Sequence, residues 1–376
     1  MQAVFWGSTL LITYVLVGYP LLLWALARRR RLSPGTQQTR FTVSVLIPVH
    51  NGAKFIREKL ESILALDYPP ELLDVLVVAD GCSDETVSIV REYADRGVDV
   101  LVLPRGGKPA ALNAAIPHLS GEIVLLTDVR QSLERESLKR LVARFEDPQV
   151  GVVSGELLLR RGTSQDEADV GLYWRYESWI RKNLAAVDSM FGATGPFYSI
   201  RRNLFTPIPR DILLDDVYLP MTIFFKGYRL VVEETARAFD YPMTRKREFD
   251  RKVRTLGGNY QLLARLPQVL TPRNRQLFHF VSYKFFRLLL PWLLIAAFFS
   301  SWWLPTPWNW LVVGAQTAAY VLAAWDENIP QTSTLKRLSS PFGTFVSFMV
   351  AAILGLKILF VPAQTLWKVT DIELKS

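Results

Sequence analysis

Two aspartates stand where a ligand would be met. Asp80 follows the apolar run Asp74 to Ala79 and opens Asp80-Gly81-Cys82-Ser83-Asp84; Asp128 follows Glu122 to Thr127 and opens Asp128-Val129-Arg130. A carboxylate at a strand end binds a ligand or shapes a turn, and its position at the strand end itself favours ligand binding for Asp80. Asp84, one turn further, reads as the cap of the next helix. Gly106-Gly107-Lys108 opens another helix. Its glycines permit close backbone approach, the helix start favours an anion, and Lys108 adds charge. No Ser or Thr follows Lys108 and the wider Walker A spacing is absent, so this is not a P-loop. G-x-G-x-x-G and G-x-S-x-G are also missing. The lone Cys82 excludes an internal disulfide and Cys/His zinc spacing, and His50, His118 and His279 are isolated.

The elements that must position these residues alternate. Val43 to Val49 is an apolar, β-branched run of strand length, and Ala53 to Leu66 has helical spacing. The strand of Asp74 to Ala79 precedes a helix over Asp84 to Ala94, and strands over Val98 to Leu103 and Glu122 to Thr127 continue the pattern. Continuous apolar strands alternating with helices predict a parallel sheet covered on both faces. Ligands of such sheets bind beyond the carboxyl ends of the strands, so Pro48-Val49-His50-Asn51-Gly52 joins the Asp80 and Asp128 loops around one cleft.

The flanks differ from this middle. Half of the 376 residues are hydrophobic and the mean hydropathy is positive. Met1 to Ala27 carries no charged side chain and is long enough to span a bilayer. Its positive charges, Arg28 to Arg31, follow the apolar run, which suits an anchor rather than a signal peptide and places the N-terminus outside. Leu288 to Trp325 is uncharged and broken at Leu304-Pro305-Thr306-Pro307, which predicts two spans about a turn flanked by Trp302, Trp303, Trp308 and Trp310. Pro341 to Trp367 contains Lys357 and either spans, as the last of four expected spans, or lies partly in the interface. The expected division is an anchor over 1–27, a basic linker over 28–40, a cytosolic catalytic domain over 41–275, a membrane region over 276–367 and a tail over 368–376. The formal charge of +9 gathers in Arg28 to Arg31 and Arg245 to Arg254, both beside apolar segments. That suits anionic lipid headgroups or a diphosphate substrate better than nucleic acid. Location in a multi-pass membrane, of bacterial inner-membrane type, is expected.

VSVLIPVHN, VVADGCSDET, GGKPAALN, LLTDVRQ, FGATGPFYSIRR and LLDDVYLP occur in an order and spacing that resemble family 2 glycosyltransferases over residues 41 to 265. The flanking pattern is similar to the cellulose, hyaluronan and poly-N-acetylglucosamine synthase branch. The resemblance implies a GT-A, Rossmann-like α/β domain, a nucleoside-diphosphate sugar donor (usually UDP) and Mg²⁺ or Mn²⁺. It implies that Asp80 meets the base beside the Pro48, Val49 and His50 backbone. Asp128 would hold the metal–diphosphate, Asp216 would be the catalytic base, and Thr194 and Gly195 would floor the acceptor site. Transfer then needs a Lewis acid at the leaving diphosphate and one carboxylate for the acceptor proton, with inversion at the anomeric carbon. Asp215, whose side chain diverges from that of Asp216 on a helix, reads as a helix cap.

The chain departs from the family pattern twice. D-x-D reads Asp128-Val129-Arg130. Either Asp128 alone serves the metal, or Arg130 gives charge to the diphosphate, or Arg130 turns away to a structural carboxylate. Q-x-x-R-W reads Arg251-Lys252-Val253-Arg254-Thr255. Arg254 keeps the motif arginine and a place at the diphosphate, or lies on a basic interfacial helix, but the aromatic platform of a processive synthase is gone. Tyr173, Trp174, Tyr176 and Trp179 form either an acceptor or lipid surface or a packing cluster. The acceptor is a lipid, a glycolipid or a growing glycan, with the first two favoured by the altered motif. The competing function is a glycosyltransferase-like subunit that has lost turnover.

Overall fold

The structure is a computed structural model that describes residues 1–29, 41–159, 165–241, 245–330 and 333–366. Most of the expected linker and all of the expected tail lie outside these residues. The chain divides into two compact units, Ala27–Arg160 with Arg181–Tyr241, and Met1–Leu26 with Arg161–Ile180 and Pro242–Ser376.

The first unit carries one eight-stranded sheet: β1 (Val43–Val49), β2 (Leu73–Asp80), β3 (Val98–Leu103), β4 (Ile123–Thr127), β5 (Ser132–Leu133), β6 (Val150–Leu159), β7 (Phe197–Arg201) and β8 (Arg229–Asp240). Their order is β3-β2-β1-β4-β7-β6-β8-β5. The first four strands are parallel, as their apolar runs predict. Every residue of β4 is buried, as are all of β1 but Pro48. The amphipathic helix Ala53–Leu64 turns Ile56, Leu60 and Ile63 into the same core as Val45, Ile47, Val77 and Leu125. Each such fully buried side chain is worth about 1.5–3 kcal/mol.

Register then decides where the cleft lies. Val49 pairs with Ala79, and Leu46 with Leu126, so His50, Asp80 and Asp128 leave one sheet edge together. The all-parallel expectation ends at β7, which runs antiparallel to β4 and to β6. The reversal has a use. Thr127 pairs with Phe197, so the loop entering β7, Thr194-Gly195-Pro196, arrives beside the loop leaving β4.

Among the described residues three helices, largely in the second unit, are long and apolar enough to cross a membrane, Gln2–Ala27, Leu277–Trp303 and Thr334–Leu359. The helix Trp308–Trp325, an expected span, is not among them. Asn309, Gln316 and its tryptophans lower its hydropathy. The last of the four expected stretches supplies the third candidate, and Lys357 near its end is exposed. Polar pairs link the first two helices: Tyr14 with Ser282 at 2.8 Å and Tyr19 with His279 at 3.2 Å. The helix Arg245–Arg265 belongs to this unit. Its Lys252 ammonium lies 3.7 Å from the Tyr173 ring centroid, and the Arg251 guanidinium 4.6 Å from that of Trp174. These two aromatics are therefore engaged as cation–π partners.

Candidate active site

The loops after β1 and β2 are stitched together by side chains. Asn51 adopts φ 49° and accepts a hydrogen bond from the Ser83 N–H at 2.8 Å. Asp84 accepts from the Ala53 and Thr86 N–H groups at 3.0 and 3.1 Å. It thus ties two loops besides holding the first residue of the helix Thr86–Arg91. Burial alone would raise its pKa, but the hydrogen bonds from Thr86 and Ala53 outweigh that and lower it. His50 Nδ1 donates to the Asp80 carbonyl at 2.8 Å, since a carbonyl can only accept. Gly81 combines φ 64° with a backbone approach at which a Cβ would meet the Arg105 nitrogen at 2.8 Å, so only glycine fits there.

Asp80 is buried at the end of β2. Its carboxylate accepts from Gly106 N–H at 2.6 Å and Gly107 N–H at 3.0 Å, and pairs with Arg105. The glycine amides assigned from sequence to an anion are therefore held by the protein's own Asp80. The lysine that follows them goes elsewhere. Lys108 Nζ lies 2.9 Å from Asp128 Oδ1 and 3.2 Å from Asp215 Oδ2. Burial pushes the Lys108 pKa down, but the Asp128, Asp215 and Asp216 carboxylates outweigh it and hold the ammonium well above its usual range.

Asp215 is not a cap. It is the first residue of the helix Asp215–Phe225, whose cap position is Leu214. It is buried, and its Oδ2 has no hydrogen-bond partner despite its nearness to Lys108. The Tyr198 hydroxyl on β7 is likewise buried without a partner. Burial, then the charges of Asp215, Asp216 and Asp128, push that phenol well above its ordinary pKa. Neither residue was singled out from sequence as part of the site.

Asp216 lies under the acceptor-side loop. Its carbonyl accepts from the Ala193 N–H at 2.7 Å. A Cβ on Gly195 would stand 2.5 Å from Asp216 Oδ2, so glycine is what lets that carboxylate come up to the loop. The Thr194 N–H is held by Ser154 Oγ at 2.9 Å, and the Thr194 hydroxyl accepts from Arg181 at 2.5 Å. Arg181 is another site neighbour that only the fold reveals.

Around Asp128 the structure takes the third of the readings left open for Arg130. Arg130 donates through Nε and Nη2 to both oxygens of buried Asp240, at 2.7 and 2.6 Å, and Gln131 adds a third bond at 2.9 Å. Its guanidinium is spent on that carboxylate rather than offered to a diphosphate. Behind Asp128 lies a lysine that sequence reading passed over. Lys59 is buried and donates to Thr127 Oγ1 and to the Gln131 carbonyl, both at 2.6 Å. Burial pulls its ammonium down to about 7, against the opposing pull of the Asp128 charge. Arg254 belongs to the other unit, on the helix Arg245–Arg265.

Among the described residues no group of three or more His, Cys, Asp or Glu is arranged to hold a metal ion. The donor set still fits a hard divalent cation that takes one or two carboxylates and completes its shell with substrate phosphate and water. Asp128 is partly exposed, and beside it Asp215 keeps one buried oxygen without a hydrogen bond.

The family model described as Glycosyl transferase family 2 matches residues 44–207. The chain is similar to the probable glycosyltransferase YdaM of Bacillus subtilis, 26% identical over 65% of this chain and 61% of that one. It is also similar to the poly-beta-1,6-N-acetyl-D-glucosamine synthase of Staphylococcus epidermidis, 22% identical over 59% of this chain and 56% of that one. The matches thus span about three-fifths of these relatives' lengths. Among solved structures, the mannosyltransferase PcManGT of Pyrobaculum calidifontis, in complex with GDP-Man and Mn²⁺, shares the fold with a TM-score of 0.72. It is 23% identical, over 94% of this chain and 98% of that one.

Proposed function

From a chain whose residues 44–207 form a glycosyl transferase family 2 domain, we propose an inverting transfer of a sugar from a nucleoside-diphosphate donor, UDP-linked in the first instance, to a membrane-associated lipid or glycan. One observation carries the reading. A single ammonium, Lys108, stands between Asp128 and Asp215, and the next residue, Asp216, reaches up to Gly195.

The chemistry follows from these groups. The donor base lies along Pro48, Val49 and His50 near Asp80. Lys108 stays protonated and turns its charge to the diphosphate as negative charge grows on the leaving oxygen. Asp128, beside Asp215, would hold a divalent cation, Mg²⁺ or Mn²⁺, which when bound would supply Lewis-acid compensation at the diphosphate. The acceptor hydroxyl rests on the Thr194-Gly195 floor. Its oxygen bonds to the anomeric carbon as the bond to the diphosphate oxygen breaks, its proton passes to Asp216, and the nucleoside diphosphate departs. Arg181 keeps the Thr194 hydroxyl in place. Arg130 is assigned to the fold.

Three candidate spans and the missing aromatic at Thr255 favour a lipid or glycolipid acceptor over a long polymer. The catalytic unit faces the cytosol in this reading. A second reading, a subunit without turnover, is favoured by Arg130 in the place of the second motif aspartate.

The test is nucleoside diphosphate release by the purified chain in lipid nanodiscs across a panel of UDP- and GDP-sugars. The expected result is turnover of one donor with Mg²⁺ or Mn²⁺, abolished by EDTA. Folded protein that turns over no donor, with membrane lipids supplied, sinks the enzymatic reading and favours the second.

A further inference from the structure

We propose that Lys59 is a positioning residue, which fixes the Asp128 turn to the acceptor-side loop through a chain of hydrogen bonds. The inference rests on the transfer reading above. The helix Ala53–Leu64 presents Ile56, Leu60 and Ile63 to the core, and Lys59 lies among them, 1% exposed. Among the described residues no carboxylate lies within ion-pair distance of it. Burying a charge without a partner costs stability, and an apolar side chain of similar length would pack there at less cost. What the lysine gains is placement. Its two bonds, each 2.6 Å, end on Thr127 Oγ1 and the Gln131 carbonyl, one on each side of Asp128-Val129-Arg130. The Thr127 hydroxyl passes its own hydrogen to the Pro196 carbonyl at 2.8 Å, and the Asp128 N–H reaches the same oxygen at 3.3 Å. One ammonium thus sets the Asp128 carboxylate and, through Thr127 and Pro196, the neighbouring Gly195.

Groups that orient a ligating carboxylate in this way typically cost about 10–100-fold in metal affinity or activity when removed. The experiment measures Mn²⁺ binding in the presence of UDP, from the electron paramagnetic resonance signal of free Mn²⁺, together with thermal unfolding and turnover. It compares the wild-type chain, Lys59→Met and Thr127→Val, with the exposed Lys54→Met as control. The expected result is about 10–100-fold weaker Mn²⁺ binding and slower turnover for Lys59→Met, the same direction for Thr127→Val, and an unfolding midpoint in Lys59→Met that does not fall. A lysine that merely supported the core would lower the midpoint and leave binding by the folded fraction intact, which overturns the assignment. If Lys59→Met does not fold, the isosteric Thr127→Val decides, and unchanged binding in it overturns the chain of bonds. A wild type that binds Mn²⁺ with neither UDP nor GDP overturns the transfer reading and this inference with it. Normal wild-type binding with an unaffected Lys59→Met overturns the Lys59 assignment alone.

Discussion

Asp80 and Asp215 are both buried carboxylates at the edge of the same cleft, and the protein finishes one and leaves the other open. Asp80 accepts two glycine N–H groups and pairs with Arg105. Asp215 is met, among the described residues, by the Lys108 ammonium alone, 3.2 Å from its Oδ2 and shared with Asp128. A buried carboxylate held by one shared cation is less fully satisfied than one held by two N–H groups and a guanidinium, and folds tolerate that mainly where function needs it. The difference separates a donor-side loop that is completed on folding from a diphosphate end that is completed by substrate.

Mutation can break or sharpen this contrast. The largest change in stability is expected from Lys108→Met, which leaves Asp128 and Asp215 facing each other without a cation. Removing one partner of such a buried pair costs roughly 3–5 kcal/mol, toward the lower end for a side chain that is partly open. Thermal unfolding should show it, with recovery when UDP and Mn²⁺ are added. Equal stability without ligand would mean that the ammonium is not what holds the two carboxylates.

Gly195→Ala comes next. The new methyl must displace the Asp216 carboxylate, and misplacing a reacting group by about 1 Å costs on the order of 100-fold in rate. The kcat should fall with little change in unfolding midpoint. A retained kcat would detach Asp216 from the chemistry.

Asp80→Asn should be milder, because the amide oxygen still accepts one glycine N–H. Loss of charge-assisted bonding there is worth about 1.5–3 kcal/mol, read as a lower midpoint, with weaker nucleotide binding as the loop loosens. If nucleotide binding alone changes, Asp80 is a ligand contact more than a loop anchor.

The smallest effect, taken over a single pH unit, is a pH dependence. The Lys59 pKa is lowered to about 7 in the folded chain from the ordinary lysine value. Between those values the unfolded chain binds more protons, so stability from this group rises as pH climbs from 7 toward 10, and the full cost of the buried charge is felt below 7. Relative to Lys59→Met, the wild type should gain up to about 1.4 kcal/mol per pH unit across that window. Parallel pH profiles of the two proteins would contradict it.

Legibility in the sequence followed the range of the interaction. Val43 to Val49 and its neighbours declared buried parallel strands, and the strand-end rule led from them to Asp80 and Asp128. Arg130 was legible only as a choice among three fates, because Asp240 lies more than a hundred positions away in the chain. Lys59 occupies the apolar face of its helix, a signal that was present, but a helical lysine ordinarily snorkels to water. Asp215 looked like a cap because adjacent aspartates at a helix start usually include one; its contact with Lys108 exists only after the sheet has brought two loops together. The antiparallel β7 was also hidden, because it depends on strand pairing.

The central claim is that Asp216 takes the acceptor's proton while its neighbours hold the donor. Nucleoside diphosphate release by Asp216→Asn beside the wild type, with the donor found in the panel and acceptor-bearing membranes, tests it most directly. The account predicts a fall of about 10²- to 10⁴-fold with nucleotide binding and unfolding midpoint retained. Release at the wild-type rate from a folded Asp216→Asn would contradict it.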